Sequence, residues 1–232
     1  MTKLSVIMPV YNEEKTISEV IEKVKSTKIN NITKEIIVVD DFSTDNTRNI
    51  LKKIKDKSIK ILYHKKNMGK GASIITGIKN SSGDIILIQD ADLEYSPNEY
   101  ERLLKPIINN NAKVVYGSRL DSIRNNIKNM YKLHYIGNML LTLITNLLYN
   151  AKITDMETGY KVFKREVLQN INLKAKRFDF EPEVTAKILK KGYKIYEVPI
   201  NFLGRKFDEG KKITWVDGIK AVYYLIKYRF ID

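Results

Sequence analysis

Short apolar runs of strand length alternate with stretches of helical period through the first half of the chain, and no other feature narrows the choice of fold as far. Leu4-Ser-Val-Ile-Met8 reads as a buried strand, and Ile17, Val20, Ile21 and Val24 follow on one helical face. Glu35-Ile-Ile-Val-Val39 is a second strand, with Ile50, Leu51 and Ile54 on the helix after it. Ile59-Lys-Ile-Leu-Tyr63 and a helix beyond Gly71 repeat the unit; Ile85-Ile-Leu-Ile-Gln89 and Lys113-Val-Val-Tyr116 supply a fourth and a fifth strand. The helix between those two opens with Ser96-Pro97-Asn98-Glu99, a capping box with proline in the first helical position. Strands that alternate with helices pair through crossovers, so the pattern predicts an α/β fold: a mostly parallel sheet with helices on both faces. The unit recurs in secondary structure but not in sequence, which excludes a solenoid.

The second half is less regular. A long helical stretch from about Lys128 to Tyr149, a helix after Glu181-Pro182, a strand from Ile195 to Phe202 and a C-terminal helix from about Trp215 are predicted. No linker or low-complexity stretch divides the 232 residues, so 1–232 is read as one domain, and 43% hydrophobic residues suffice for its core. The absence of cysteine rules out disulfides and thiolate metal sites and fits a reducing, cytoplasmic setting. No signal peptide is expected, because the apolar run Leu4 to Val10 is short and meets Asn12-Glu13-Glu14. No span reaches the roughly 20 apolar residues of a transmembrane helix. Met139 to Leu148 comes nearest, but it carries Thr142, Thr145 and Asn146, as a buried or interfacial helix would. A formal charge of +14 points to an anionic partner (phosphate, acidic lipid or nucleic acid), although abundant lysine also simply solvates a surface.

In open α/β sheets ligands bind beyond the carboxyl ends of the strands. The first strand is followed by Pro9-Val-Tyr-Asn-Glu-Glu14, the second by Asp40 and Asp41 with Ser43 and Asp45, the third by Asn67-Met-Gly-Lys-Gly71 and the fourth by Asp90-Ala-Asp92. Acidic, polar and glycine-rich segments therefore gather on one edge. Asp90 and Asp92 can face one hard cation, since Mg²⁺ and Mn²⁺ take one or two carboxylates together with ligand phosphates; aspartates also favour turns for purely local reasons. Asp40 and Asp41 can accept hydrogen bonds from a base and a ribose, or cap the next helix. Asn67 to Gly71 offers backbone N–H groups and the Lys70 ammonium to an anion, without a Walker pattern.

Together these segments resemble family 2 glycosyltransferases of the GT-A fold, especially the polyprenyl- or dolichyl-phosphate mannose and glucose synthases. The likeness covers nearly the whole chain. It rests on Val6-Ile-Met-Pro-Val-Tyr-Asn-Glu-Glu14, Val38-Val-Asp-Asp-Phe-Ser-Thr-Asp45, Gly69-Lys-Gly71, Gln89-Asp-Ala-Asp-Leu93 and Gly117-Ser-Arg119. Thr154-Asp-Met-Glu-Thr-Gly-Tyr-Lys161, Phe180-Glu-Pro-Glu183 and Glu209-Gly-Lys-Lys-Ile213 extend it. The resemblance implies a nucleotide-binding half of about 1–120 and an acceptor half of about 121–232. It places Pro9, Tyr11, Glu13, Val39 and Asp41 around the nucleoside and Asp90, Ala91 and Asp92 on the donor diphosphate. Asp92 is the principal metal ligand, Arg119 lies near the sugar and phosphates, and Arg205 with a lysine of the Lys211-Lys212 pair closes over a phosphate. Position 94 is Glu where the mannose synthases often carry a further metal ligand, glutamine. The C-terminal membrane helices of many relatives are missing, so a membrane partner protein would supply any anchor.

The reaction so implied is single displacement with inversion, assisted by Mg²⁺ or Mn²⁺ and by Arg119, Arg205 and Lys212 on the leaving diphosphate. A hydroxyl acceptor, such as a growing glycan, needs a carboxylate base, for which Asp155 and Glu183 are candidates; Asp155 can equally hold the acceptor loop. A polyprenyl phosphate is already anionic and needs none, and the excess positive charge favours it. A lipid acceptor requires a membrane surface, peripheral and on the cytoplasmic face. Trp215, Val222, Tyr223, Leu225 and Ile226 interleave with Lys220, Lys227 and Arg229 as in an interfacial helix, or pack as an ordinary amphipathic one. His64 and His134 stand isolated and receive no role. A nucleotidyltransferase would need a glycine-rich, arginine-bearing N-terminal loop that is absent. A nucleic-acid-binding module would explain the charge but not the acidic residues at the strand ends.

Overall fold

The structure, a computed structural model, describes residues 1–125, 132–204 and 215–231, with the backbone alone at 123–125, 132–134 and 215. Among the described residues seven strands form one sheet: β1 (Thr2–Val10), β2 (Ile32–Asp40), β3 (Ile59–Tyr63), β4 (Ile85–Ile88), β5 (Val114–Ser118), β6 (Lys161–Lys164) and β7 (Ile195–Pro199). Their order is β3-β2-β1-β4-β6-β5-β7, parallel throughout except for β6, which runs antiparallel to both neighbours. Helices α1 (Ile17–Ser26), α2 (Thr47–Lys52), α3 (Lys70–Lys79) and α4 (Tyr100–Ile108) make the crossovers of the first half. Then come α5 (Leu120–Asn125), α6 (Lys132–Tyr149), α7 (Arg165–Gln169), α8 (Phe180–Lys190) and α9 (Trp215–Phe230).

Side-chain alternation builds two cores from the same strands. Val6, Met8, Val38 and Leu87 face one side with Val20, Val24 and Leu103, while Ile7, Ile37, Ile86 and Ile88 face the other with Ile74, Phe180 and Val184. A third cluster, Leu141, Met156, Ala186, Ala221, Leu225 and Tyr228, joins α6, α8 and α9.

Two expectations change. Lys161-Val-Phe-Lys164 is a strand that the periodicity does not announce, because it has only four residues and begins and ends with lysine. The last strand stops at Pro199, and Phe202 makes only an isolated bridge to Tyr95. Among the described residues no helix is long and apolar enough to cross a membrane.

Candidate active site

Strand order puts β1 between β2 and β4, so the chain departs from β1 in one direction and enters β4 on the other side. That reversal is a topological switch point, where the loops beyond the strand ends splay and leave a crevice. The loops after β1, β2 and β4 carry three of the non-glycine residues with positive φ: Asn12 (53°), Phe42 (63°) and Leu93 (62°). Such backbone is costly and tends to collect where a loop must hold a functional shape. From below, Gln89 pins the Asp90–Tyr95 turn: its amide nitrogen donates to the Asp90 carbonyl at 2.9 Å, and its oxygen accepts from the Tyr100 and Tyr160 hydroxyls at 2.8 and 2.7 Å.

Asp41 is almost fully buried. Its carboxylate accepts from the amides of Met68 (2.8 Å) and Gly69 (2.7 Å) and lies 2.7 Å from Nδ1 of His64, whose other ring nitrogen is 3.0 Å from the Thr76 hydroxyl. His64, given no role from the sequence, thus ties Asp41 to α3. The amides of Gly71 and Ala72 donate to the carbonyls of Arg177 and Lys176, both at 3.0 Å. Protein groups therefore occupy four N–H groups at the start of α3, which corrects the expectation of a backbone anion cradle there. The turn instead delivers one ammonium. Gly69, at φ 95°, is required: a Cβ would sit 2.4 Å from the Lys176 carbonyl oxygen.

A cavity of about 510 Å³ fills the crevice. Its lining comes from Pro9, Tyr11 and Glu13 at and after the end of β1, Asp41 after β2, Lys70 at the start of α3, Asp90, Ala91, Asp92 and Glu94 after β4, and Arg119, Glu157, Gly159, Arg177 and Glu181 from the second half of the chain. Lys70 Nζ lies 2.9 Å from Asp90 and 3.1 Å from Glu181. Burial works against the Lys70 charge, but these two carboxylates more than offset it and raise its pKa, so the ammonium is permanent. Arg119 is held by Asp155 through Nε and Nη2, both at 2.7 Å, and its Nη1 donates to the Tyr95 hydroxyl at 3.2 Å. Burial first, and then the neighbouring Glu181 carboxylate, push Glu157 up to about 7.

Of the residues expected around the donor, Pro9, Tyr11, Glu13, Asp41, Lys70, Asp90, Ala91, Asp92, Glu94 and Arg119 line this cavity. Val39 and Asp40 are not brought to it. The Val39 side chain packs in the core beside Ile37, and Asp40 is fully buried in an ion pair with Arg48 at 2.8 Å. Neither Asp155 nor Glu183 reaches the cavity. Asp155 accepts from Arg119 and from Asn138 (2.9 Å), and Glu183 from the Lys174 amide (3.0 Å), the Ala175 amide (2.5 Å) and Lys187 (2.6 Å). Their neighbours Glu157 and Glu181 line it instead, and with Arg177 these are the site residues that sequence reasoning passed over. The signal was available, since both glutamates stand in segments carrying the family resemblance. Arg205, Lys211 and Lys212 lie outside the described residues, as do the side chains of Trp215 and His134.

Among the described residues no three His, Asp or Glu side chains gather into a ready-made metal cage. The donor set nevertheless fits a hard cation. Asp90, Asp92 and Glu94 line the cavity from one turn and offer only oxygen, although both Asp90 oxygens lie within 3.1 Å of Lys70 Nζ; Mg²⁺ or Mn²⁺ would take one or two of these carboxylates and the rest of its shell from ligand and water.

The model of a family described as "Glycosyl transferase family 2" matches residues 5–171. The chain belongs to that family. The glycosyltransferase matches an uncharacterized protein of Methanocaldococcus jannaschii at 32% identity, over 97% of this chain and 91% of that one. It is 31% identical to a UDP-N-acetylglucosamine–dolichyl-phosphate N-acetylglucosaminyltransferase of Methanococcus voltae, over 95% of this chain and 93% of the relative. A low-salt glycan biosynthesis hexosyltransferase of Haloferax volcanii is 30% identical over 96% of this chain and 53% of its own length. Among solved structures, glucosyl-3-phosphoglycerate synthase of Mycobacterium tuberculosis with Mn²⁺, UDP and glucosyl-3-phosphoglycerate superposes with a TM-score of 0.73 at 19% identity, covering 100% of this chain and 81% of that one. The same enzyme with Mg²⁺ and UDP gives 0.72. At that identity the likeness establishes the shared GT-A fold.

Proposed function

We propose that this transferase is metal-dependent and inverting, and moves a hexose from GDP-mannose or a UDP-sugar to a polyprenyl phosphate of the dolichyl or undecaprenyl type at a membrane surface. One observation carries the reading: at the switch point a single cavity combines oxygen ligands (Asp90, Asp92, Glu94) with three cations (Lys70, Arg119, Arg177), the set a departing diphosphate needs. The nucleoside end is formed by Pro9, Tyr11, Glu13 and Asp41. Asp92, with Asp90 and Glu94, would hold Mg²⁺ or Mn²⁺, which supplies charge neutralisation at the diphosphate when bound. Lys70, held between Asp90 and Glu181, stands beside the carboxylates that would bind the metal and can exchange one of these partners for a phosphate oxygen.

Asp155 and Glu183, the carboxylates considered as bases, are already occupied by cations and amides, but Glu157 and Glu181 line the cavity in their place, so the carboxylates do not choose between the acceptors. The acceptor class is supported by an apolar surface. Ile136, Met139, Leu140, Leu143 and Leu147 of α6 are exposed, as are Val216, Ile219, Tyr223, Ile226 and Phe230 of α9, with Lys220 and Arg229 also exposed on α9. Apolar stripes beside cations suit an anionic leaflet. The dolichyl-phosphate specificity named for the Methanococcus voltae relative points the same way.

The test is transfer of label from GDP-mannose, UDP-glucose or UDP-N-acetylglucosamine, with Mn²⁺, into organic-extractable polyprenyl phosphate. Label in the lipid phase, lost in Asp92→Ala, is expected; an unlabelled lipid phase with every donor overturns the acceptor assignment.

A further inference from the structure

Two carboxylate oxygens in the cavity wall have no hydrogen-bond partner among the described residues: Oε1 of Glu157 and Oε2 of Glu181, each enclosed at the atom. Buried acceptors are almost always satisfied, so two left open in one cavity wall call for an explanation, and a donor on a ligand is one. Glu181 as a residue is 5% exposed, and its other oxygen already takes Lys70 at 3.1 Å.

Strand order says which part of a donor would arrive there. The residues proposed for the nucleoside stand beyond β1 and β2, and the Asp90–Glu94 turn stands beyond β4. β6 is the next strand on the side away from β1, and Glu157 and Gly159 are in the segment that leads into it. A nucleotide-diphosphate sugar with its base over β1 and β2 and its diphosphate at β4 extends its hexose toward β6 and Glu157, and Glu181 reaches the same cavity from α8, near enough to Glu157 to raise its pKa. Hexose hydroxyls donate as well as accept, and an ionised carboxylate only accepts; Glu157, pushed up to about 7, is such an acceptor above that pH, so binding is read at pH 8.

We infer that Glu157 and Glu181 form the recognition site for the hydroxyl groups of the transferred sugar, and that the paired carboxylates select a neutral hexose against a uronic acid. The inference rests on the donor assignment made above and extends it to the sugar. Glu181 also positions Lys70, so Glu157 is the cleaner residue to change.

The experiment is calorimetric titration, with Mn²⁺, of UDP, UDP-glucose, UDP-N-acetylglucosamine and UDP-glucuronate, and of GDP and GDP-mannose. It uses the wild type, Glu157→Ala and Glu157→Gln, each first shown by thermal melting to be folded. The wild type should bind its preferred nucleotide-hexose at least tenfold more tightly than UDP-glucuronate. Glu157→Ala should keep the free nucleotide diphosphate within about twofold of wild type while the hexose loses at least fivefold, and Glu157→Gln should narrow the discrimination against the uronate. If no nucleotide binds the wild type, the donor assignment fails and this inference falls with it. If nucleotides bind but the hexose increment and the uronate discrimination are unchanged in both variants, the inference alone is overturned. Should Glu157→Ala unfold, Glu157→Gln decides by the uronate ratio.

Discussion

Replacing Asp155 with asparagine separates two roles for the carboxylate of the Thr154-Asp155 segment, proton acceptor and clamp. Asp155 is 1% exposed and accepts four hydrogen bonds: from the Arg119 amide (2.9 Å), from Arg119 Nε and Nη2 (2.7 Å each) and from Asn138 Nδ2 (2.9 Å). Burial alone would raise its pKa, but the Arg119 charge and these hydrogen bonds more than offset burial and hold the carboxyl below its ordinary value. In Asp155→Asn the new side chain is nearly isosteric but neutral, and it turns one acceptor into an NH₂ facing the guanidinium. Stranding one member of a buried ion pair costs about 3–5 kcal/mol. For a chain of this size, each kcal/mol moves Tm by about 2–4 °C, so a loss of at least roughly 6 °C is expected at pH 7. Because the folded carboxyl titrates below its unfolded value, the contribution is fully present above about pH 4 and disappears as pH falls through the lower folded value. The stability gap between wild type and variant should therefore close in acid. Urea unfolding at pH 7 and below pH 4, beside steady-state kinetics, reads both quantities. Unchanged stability at pH 7 with kcat reduced by orders of magnitude would refute the clamp and restore Asp155 as a base.

Glu157 has the opposite sign: its pKa is raised to about 7 by burial and by Glu181, so its ionised form opposes folding above the unfolded value and most fully above pH 7. Glu157→Gln should raise Tm at pH 8, by up to the equivalent of about 3 kcal/mol, and have little effect at pH 4, as scanning calorimetry would show. Gly159→Ala would bring a Cβ within 2.4 Å of Asp90 Oδ2 and 2.9 Å of the Tyr95 ring; relief of that clash, costing roughly 1–3 kcal/mol, should displace Asp90 and weaken nucleotide binding with Mn²⁺ at least fivefold. Asp41→Asn removes a charged acceptor from Met68 and Gly69. Stability should fall by about 2 kcal/mol or more, with faster hydrogen exchange at those two amides by NMR.

The fold was legible where burial imposes a period. β1, β2 and β4 are covered on both faces, so they read as continuous apolar runs, and the helices between them show one apolar side. β6 was not legible, because four residues bounded by lysine carry too little pattern; only its place between β4 and β5 makes it a strand. The same division runs through the site. Loops after parallel strands must emerge at one sheet edge, so the segments Pro9–Glu13, Asp41 and Asp90–Glu94 could be assigned from sequence alone. Which carboxylate of a motif faces the cavity could not. In α8, residues 181 and 183 are two positions apart and so point about 200° apart around the axis. The packing of α8 on the sheet turns Glu181 toward Lys70 and Glu183 toward the Lys174 and Ala175 amides. The order of chemistry-bearing segments was written in the chain by local periodicity. The choice between Glu157 and Asp155, the role of His64 and the occupation of the amides at the start of α3 were decided by tertiary contacts, because each depends on a partner more than 20 residues away.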